Sequence, residues 1–111
     1  MRILAVGLAL WAAGAPQAQE AWERLSGAEI AEALTERRLS YASGSQVFYA
    51  SGRTLYDSGR PSWGYWAVRQ DRYCSMWPPS DLWACYALER RGTALRFVGA
   101  AGDVTEGVYA E

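Results

Sequence analysis

From Leu39 onward the sequence divides into short runs rich in Tyr, Trp, Phe, Val and Thr. Residues typical of turns separate these runs at intervals of about ten positions, a spacing that predicts β-strands joined by hairpins. The runs lack the 3.6-residue apolar period of a helix. We therefore expect a mainly β fold, an antiparallel up-and-down meander of about seven or eight strands. Such a sheet must close into a small barrel, or curve strongly with its apolar face covered.

Three predicted hairpins place their residues consistently on two faces of this sheet. Their turns lie at Gln70-Asp71, at Pro78–Asp81 and at Arg91-Gly92, and the last turn pairs Leu88 with Leu95. Directly paired side chains share a face, so the three registers can be compared. They agree on a core face made of Trp66, Val68, Tyr73, Trp77, Leu82, Tyr86, Leu88, Leu95 and Phe97. The opposite, mixed face carries Tyr65, Ala67, Arg72, Cys74, Met76, Trp83, Cys85, Ala87, Glu89 and Arg96.

One amphipathic helix is predicted ahead of the strands, over about residues 27 to 38. Ser26 and Glu29 have the S-x-x-E spacing of a capping box, and Leu25 and Ile30 are spaced for a hydrophobic staple. We expect the apolar side of this helix to dock on its own sheet. A partner-binding or membrane-surface helix is the alternative.

The first 18 residues predict a secretory signal peptide. Arg2 supplies a positive start, and Ile3 to Ala15 form an uncharged run that is shorter than the roughly 20 residues of a membrane-spanning helix. Cleavage is expected after Ala18, or alternatively three residues earlier, and an uncleaved anchor is the other interpretation. Residues 19–111 then form a single small domain without a stable membrane anchor, located in the periplasm or secreted.

Cys74 and Cys85 are the only two cysteines. In a small exported domain such a pair predicts a disulfide, worth about 2–3 kcal/mol for a short closed loop. A reactive free thiol is the alternative, but the chain has no His or Lys to lower its pKa.

Composition argues against most kinds of catalysis. All 11 basic residues are Arg, and the chain has neither His nor Lys, so Ser-His-Asp and Cys-His catalysis, a Schiff-base lysine and a His-bearing zinc site are excluded. Removing Arg2 with the signal peptide leaves 10 basic residues against 12 acids, which does not suit a nucleic-acid binder. No cofactor or metal is expected.

Carboxylates are the remaining catalytic candidates, and their positions favour structural roles. Asp57, Asp71, Asp81 and Asp103 lie in or beside predicted turns, where Asp is preferred for backbone reasons. Glu89 lies inside a strand on the mixed face, where it is expected to be solvated or paired with Arg. A small carboxylate-dependent hydrolase is therefore only a remote alternative.

Two motifs carry a resemblance to known proteins. Leu25 to Ile30 reads L-S-G-A-E-I, and Trp63 to Cys85 contains a G-x-W…Y-C-S-x-W…C core. The chain resembles a group of small secreted alphaproteobacterial proteins of unknown function. Its G-x-W…C…C pattern is also similar to calycin-like β domains, including inhibitors. The resemblance covers most of the mature chain and implies a small disulfide-bonded β domain.

The aromatic residues of the mixed face suggest a binding surface. Tyr65, Met76 and Trp83 surround the predicted disulfide, and Trp63 extends the same region. Exposed, they would form an apolar patch suited to a partner or a sugar ring; covered by the helix, they would only support the fold. The leading hypothesis is a monomeric, non-catalytic domain that binds a protein or small ligand, with a hydrolase inhibitor as one form of it. The alternative is a structural or accessory envelope protein.

Overall fold

The computed structural model describes residues 21–110, so the predicted signal peptide lies outside the described residues. The elements are β1 (Glu23–Arg24), α1 (Gly27–Leu34), β2 (Arg37–Tyr41), β3 (Gly44–Phe48), β4 (Arg53–Asp57), β5 (Pro61–Arg69), β6 (Arg72–Met76), β7 (Ala84–Arg91), β8 (Ala94–Val98) and β9 (Val104–Tyr109).

Strands β2 to β9 form a closed antiparallel barrel. Each strand pairs with its sequence neighbour, and β9 returns to pair with β2 through partners such as Leu39 and Tyr109. The short strand β1 pairs with Glu89 and Arg90 near the end of β7, whereas β6 pairs with the beginning of β7. This architecture confirms the prediction of a small, mainly β barrel with one leading helix.

Helix α1 begins as predicted and ends earlier than predicted. The Ser26 hydroxyl accepts from the Glu29 N–H, and the Glu29 carboxylate accepts from the Ser26 N–H, which completes the capping box. The helix ends at Leu34 rather than at residue 38. At Glu36 the backbone turns to a φ of 61°, and its N–H donates to the Phe48 carbonyl. Pairing with β3 therefore overrides the helical propensity of the residues after Leu34.

The helix closes one end of the barrel. Ile30, Ala33 and Leu34 are buried in the same cluster as the barrel core. Two polar contacts hold α1 in place: the Gly27 N–H donates to an Asp71 carboxylate oxygen at 2.6 Å, and the Tyr109 hydroxyl donates to the Ala33 carbonyl at 2.8 Å. The prediction that α1 docks on its own sheet is confirmed. Within residues 21–110, no helix is long and apolar enough to cross a membrane.

Two of the three predicted registers are confirmed. The third is shifted by two residues, because β7 pairs Leu88 with Phe97 rather than with Leu95. The two turn residues are Gly92 and Thr93, and Gly92 adopts a φ of 61°. Gly at the first central position suits a type II′ hairpin turn, which moves the turn one residue along the chain. A shift of two residues keeps every side chain on its predicted face.

Leu82 is the one predicted core-face residue that the barrel leaves outside. Strand β6 ends at Met76 and β7 begins only at Ala84, so Leu82 belongs to an irregular loop and is 77% exposed. The other predicted core-face residues lie inside the barrel with Leu39 and Phe48. The buried cluster consists of Leu25, Ile30, Ala33, Leu34, Leu39, Phe48, Trp66, Tyr73, Leu88, Leu95 and Phe97.

Cys74 and Cys85 form the predicted disulfide. Their Cα atoms are directly paired on β6 and β7, 4.0 Å apart, on the outer face of the barrel. The bond crosses a ladder of only three residue pairs, beyond which the chain leaves the sheet as the Pro78–Asp81 loop. A disulfide of this kind is compatible with an exported protein.

Candidate ligand-binding cavity

The barrel end opposite the helix opens into a cavity of about 320 Å³. The strands run alternately toward and away from this end, so β2, β4, β6 and β8 finish there. Because side chains alternate along each strand, every second residue points into the barrel. The cavity is lined by Tyr41, Ser43, Gln46, Tyr56, Tyr73, Ser75, Trp77, Tyr86, Phe97, Asp103 and Thr105.

Two glycines make room for large rings in the cavity wall. A Cβ atom at Gly64 would lie 2.5 Å from the Trp77 ring, and one at Gly107 would lie 2.8 Å from the Tyr41 ring. Both glycines lie on inward-facing strand positions, where any larger residue would displace the aromatic ring. The sequence thus places Trp77 and Tyr41 by leaving space opposite each of them.

A buried hydrogen-bond network forms the polar base of the cavity. The Gln46 side-chain amide donates to the Thr54 hydroxyl at 2.9 Å and to the Tyr73 hydroxyl at 3.1 Å. Its carbonyl oxygen accepts from the Tyr41 hydroxyl at 2.7 Å. Every polar atom of this buried amide is therefore bonded, which fixes the orientation of both phenols.

Burial changes the acidity of these two phenols. It is the main cause that raises the pKa of Tyr73 to about 12, although hydrogen bonds from Ser75 and Gln46 partly oppose it. Burial also raises the pKa of Tyr41, with the neighbouring Tyr73 and Tyr56 adding to the effect. Both phenols therefore remain neutral hydrogen-bonding groups at neutral pH.

The raised pKa of Tyr73 predicts a loss of stability in alkali. An unfolded tyrosine ionises near pH 10, whereas the folded phenol keeps its proton to about pH 12. Between these values the unfolded state binds fewer protons, so stability is fully present below pH 10 and falls as the pH rises toward 12, by about 2–3 kcal/mol for this group.

Urea unfolding at several pH values measures this effect. We expect Tyr73→Phe to flatten the decline in unfolding free energy between pH 10 and pH 12. Tyr65→Phe, which removes a phenol from the outer face, is the matched control. A decline equally steep in Tyr73→Phe and in the wild type would contradict the assignment.

The cavity walls form a continuous aromatic surface. The Tyr41 ring lies 6.2 Å from Tyr56 and 6.2 Å from Phe97. The ring centroid of Tyr73 lies 4.9 Å from that of Phe97 and 6.2 Å from that of Tyr86. Rings at these separations interact favourably with one another, and together they form one connected aromatic group in the cavity wall.

One acidic side chain lies at the cavity rim. Asp103 follows the tight turn between β8 and β9, and a Cβ atom at Gly99 would clash with its carboxylate. Among residues 21–110, Arg96 and Glu89 form an ion pair on the outer face, with 2.6 Å between the Arg96 Nε and the Glu89 Oε1 atoms. Glu89 is thus paired with Arg, as the sequence predicted, and Asp103 lies apart from that pair.

The residues predicted to form a partner-contact patch lie on the outer face, away from the cavity. Trp63 is 44% exposed and Tyr65 is 43% exposed, whereas Met76 and Trp83 are half-buried. The helix covers the end of the barrel rather than this face. Arginines lie over two of the rings, Arg53 over Trp63 at 4.2 Å and Arg69 over Trp83 at 4.2 Å.

Sequence reasoning identified part of the cavity only as core. The predicted core face includes Tyr73, Trp77, Tyr86 and Phe97. The polar groups on the first three of these rings are the sequence signal for a cavity. The missed lining residues are Tyr41, Ser43, Gln46, Tyr56, Ser75, Asp103 and Thr105. Several of them lie on strands whose registers have no strong turn signal.

Comparisons with protein-family models, with curated proteins and with solved structures find no match to this chain. The candidate site therefore rests on the geometry of the barrel.

Proposed function

We propose that the protein binds a small ligand in the open end of its barrel, without catalysing a reaction. The observation that carries this proposal is the aromatic-walled cavity of about 320 Å³ opposite the helix. Ligand sites are commonly clefts of about 300–1,000 Å³ with apolar walls and a few placed polar groups. The hydroxyls of Tyr41, Ser43 and Tyr56 are such groups, and the Gln46 amide holds the Tyr41 hydroxyl in place.

The chemistry of the lining favours binding over catalysis. Ser43 and Ser75 are the hydroxyl nucleophile candidates, but the chain has no His or Lys to act as their base. Among residues 21–110, Asp103 is the one carboxylate in the lining, whereas glycoside hydrolysis uses a pair. Neutral phenols whose orientation is fixed by the Gln46 amide are suited to orient a ligand.

Export to the periplasm or the exterior is part of the proposal. The Cys74–Cys85 disulfide is the type of bond that persists in oxidising compartments. The N-terminal sequence pattern of a signal peptide agrees with it. The binding site would then face ligands of the extracytoplasmic space.

Partner binding through the outer face is the second candidate function. The exposure of Trp63 and Tyr65 favours it. However, Arg53 and Arg69 already cover rings of this patch, so its apolar area is reduced. A protein partner, for example an inhibited hydrolase, would use Tyr65 and Met76 with these rings.

Two substitutions on β9 test the cavity proposal. Thr105 points into the cavity, and the adjacent Glu106 points outward, opposite Arg96. We expect Thr105→Trp to reduce the affinity of cavity-binding fragments at least about tenfold by filling the mouth, and Glu106→Trp to leave it unchanged. Ligand-observed NMR with a library of small aromatic and aliphatic fragments measures both variants against the wild type.

The proposal fails if no fragment binds the wild type. It also fails if fragments bind Thr105→Trp as well as they bind Glu106→Trp. The first result would favour the structural envelope protein, and the second would move the site to the outer face.

A further inference from the structure

We infer that the ligand of this cavity is a small organic cation, an ammonium group carried on a compact apolar or aromatic body. The inference rests on the proposed function, since it names the ligand class of the same site. Charge, aromatic faces and hydrogen-bonding capacity in the lining all support it.

The distribution of charge favours a cation. Asp103 contributes a carboxylate to the rim, and none of the 10 arginines between residues 21 and 110 belongs to the lining. An anionic ligand would meet this carboxylate and the partial negative charge of the phenol oxygens without a compensating positive group. A cation would gain a counter-ion at the mouth.

Aromatic faces elsewhere on the barrel are already occupied by cations. Five arginine side chains lie within 4.4 Å of a Trp or Tyr ring. The rings they cover are Trp22, Trp63, Trp83 and Tyr109. In the described chain, none of these contacts involves a ring of the cavity. Tyr41, Tyr56, Trp77 and Tyr86 are lining rings that no arginine of residues 21–110 covers, and rings of this kind attract a ligand cation through their π electrons.

The polar atoms of the cavity can accept hydrogen bonds from an ammonium group. The Tyr41 hydroxyl donates its hydrogen bond to the Gln46 carbonyl oxygen, so the Tyr41 oxygen can accept one from a ligand. Ser43 and Tyr56 lie at the same mouth with hydroxyl oxygens 3.4 Å apart. The Asp103 carboxylate adds acceptors at the rim. An ammonium group, which only donates, matches this set.

The volume of the cavity restricts the size of the ligand. About 320 Å³ lies near the lower end of the range for small-molecule sites. One aromatic ring or a short aliphatic chain with an ammonium group fits this space. We therefore expect compact monoamines rather than lipids.

Three probes of nearly equal shape separate charge from size. Tyramine carries an ammonium group, tyrosol carries a neutral hydroxyl on the same ring and chain, and 4-hydroxyphenylacetate carries a carboxylate. Isothermal titration of the mature domain is expected to give about tenfold tighter binding of tyramine than of tyrosol, with the anion weakest.

Two charge variants locate the source of this preference. Asp103→Asn is expected to reduce the preference for tyramine over tyrosol to about threefold or less. Glu106→Gln removes the same formal charge from the outward-facing side of β9, the strand that follows Asp103, and serves as the matched control. It is expected to retain the full preference.

The outcomes distinguish this inference from the function on which it rests. Equal affinity for tyramine and tyrosol, or no change in Asp103→Asn, overturns the cation inference while the cavity proposal stands. The same conclusion follows if none of the three probes binds while Thr105→Trp still weakens the binding of other fragments. Failure of every fragment overturns both.

Discussion

Replacing Phe48 with alanine is expected to lower the free energy of unfolding by about 3–5 kcal/mol. Phe48 is fully buried in the core cluster that the helix shares with the barrel. Its ring contacts Trp66 at a centroid distance of 5.6 Å, Tyr73 at 5.7 Å and Phe97 at 6.4 Å. Closed strands on all sides prevent the barrel from collapsing into the space, so the lost contacts are not recovered.

Urea denaturation followed by tryptophan fluorescence measures this loss. Leu82→Ala is the control, because Leu82 is also a large apolar residue but lies in the loop between β6 and β7 and is 77% exposed. We expect it to change stability by less than about 0.5 kcal/mol. If Leu82→Ala cost as much as Phe48→Ala, the placement of the core would be wrong.

Removing the disulfide is expected to lower stability by about 2–3 kcal/mol. The bond closes a loop with a sequence separation of 11 between Cys74 and Cys85. In the unfolded chain it restricts the loop, which reduces the entropy gained on unfolding. It also crosses a short ladder of three pairs, so its loss should allow the β6–β7 hairpin to open locally.

Cys74→Ala combined with Cys85→Ala tests this by urea denaturation. Alanine avoids burying a hydroxyl at Cys74, which is completely buried. Wild-type protein kept under strong reductant is the control that separates loss of the cross-link from loss of the sulfur atoms. Stability equal to that of the oxidised wild type in both samples would contradict the predicted contribution.

Local signals predicted much of the fold. The capping box at Ser26 located the start of the helix, and the Gln70-Asp71 turn located a hairpin with the correct register. In that turn both residues adopt positive φ, 51° and 59°, a geometry that Asp tolerates. These features depend on residues close in sequence, which is why the pattern could show them.

Long-range pairing explains what the sequence did not predict. The helix stops at Leu34 because β2 pairs with β3, although the next residues are compatible with a helix. Closure depends on β9 pairing with β2, for instance Tyr41 with Gly107, which are far apart in the chain. The sequence predicts either a barrel or a covered sheet, because the residues of the turns do not determine whether the first and last strands pair.

The cavity was harder to predict than the core for a related reason. A core face and a cavity wall have the same alternating pattern, and they differ only in how far side chains fill the interior. Gln46 on β3 and Tyr73 on β6 lie on strands that do not pair with each other, so the bond between their side chains forms only when the barrel closes. Asp103 has the sequence context of an ordinary turn residue, and its place at the rim follows from the β8–β9 pairing.

NMR of the tryptophan side-chain N–H groups distinguishes ligand binding in the cavity from binding on the outer face. Trp77 lies in the cavity wall, where its indole nitrogen donates to Ser75 at 3.2 Å, whereas Trp63 and Trp83 lie on the outer face. During titration with a fragment that binds the wild type, we expect the Trp77 signal to shift while those of Trp63 and Trp83 stay in place. Shifts of Trp63 or Trp83 with an unmoved Trp77 would contradict the cavity proposal and assign binding to the outer face.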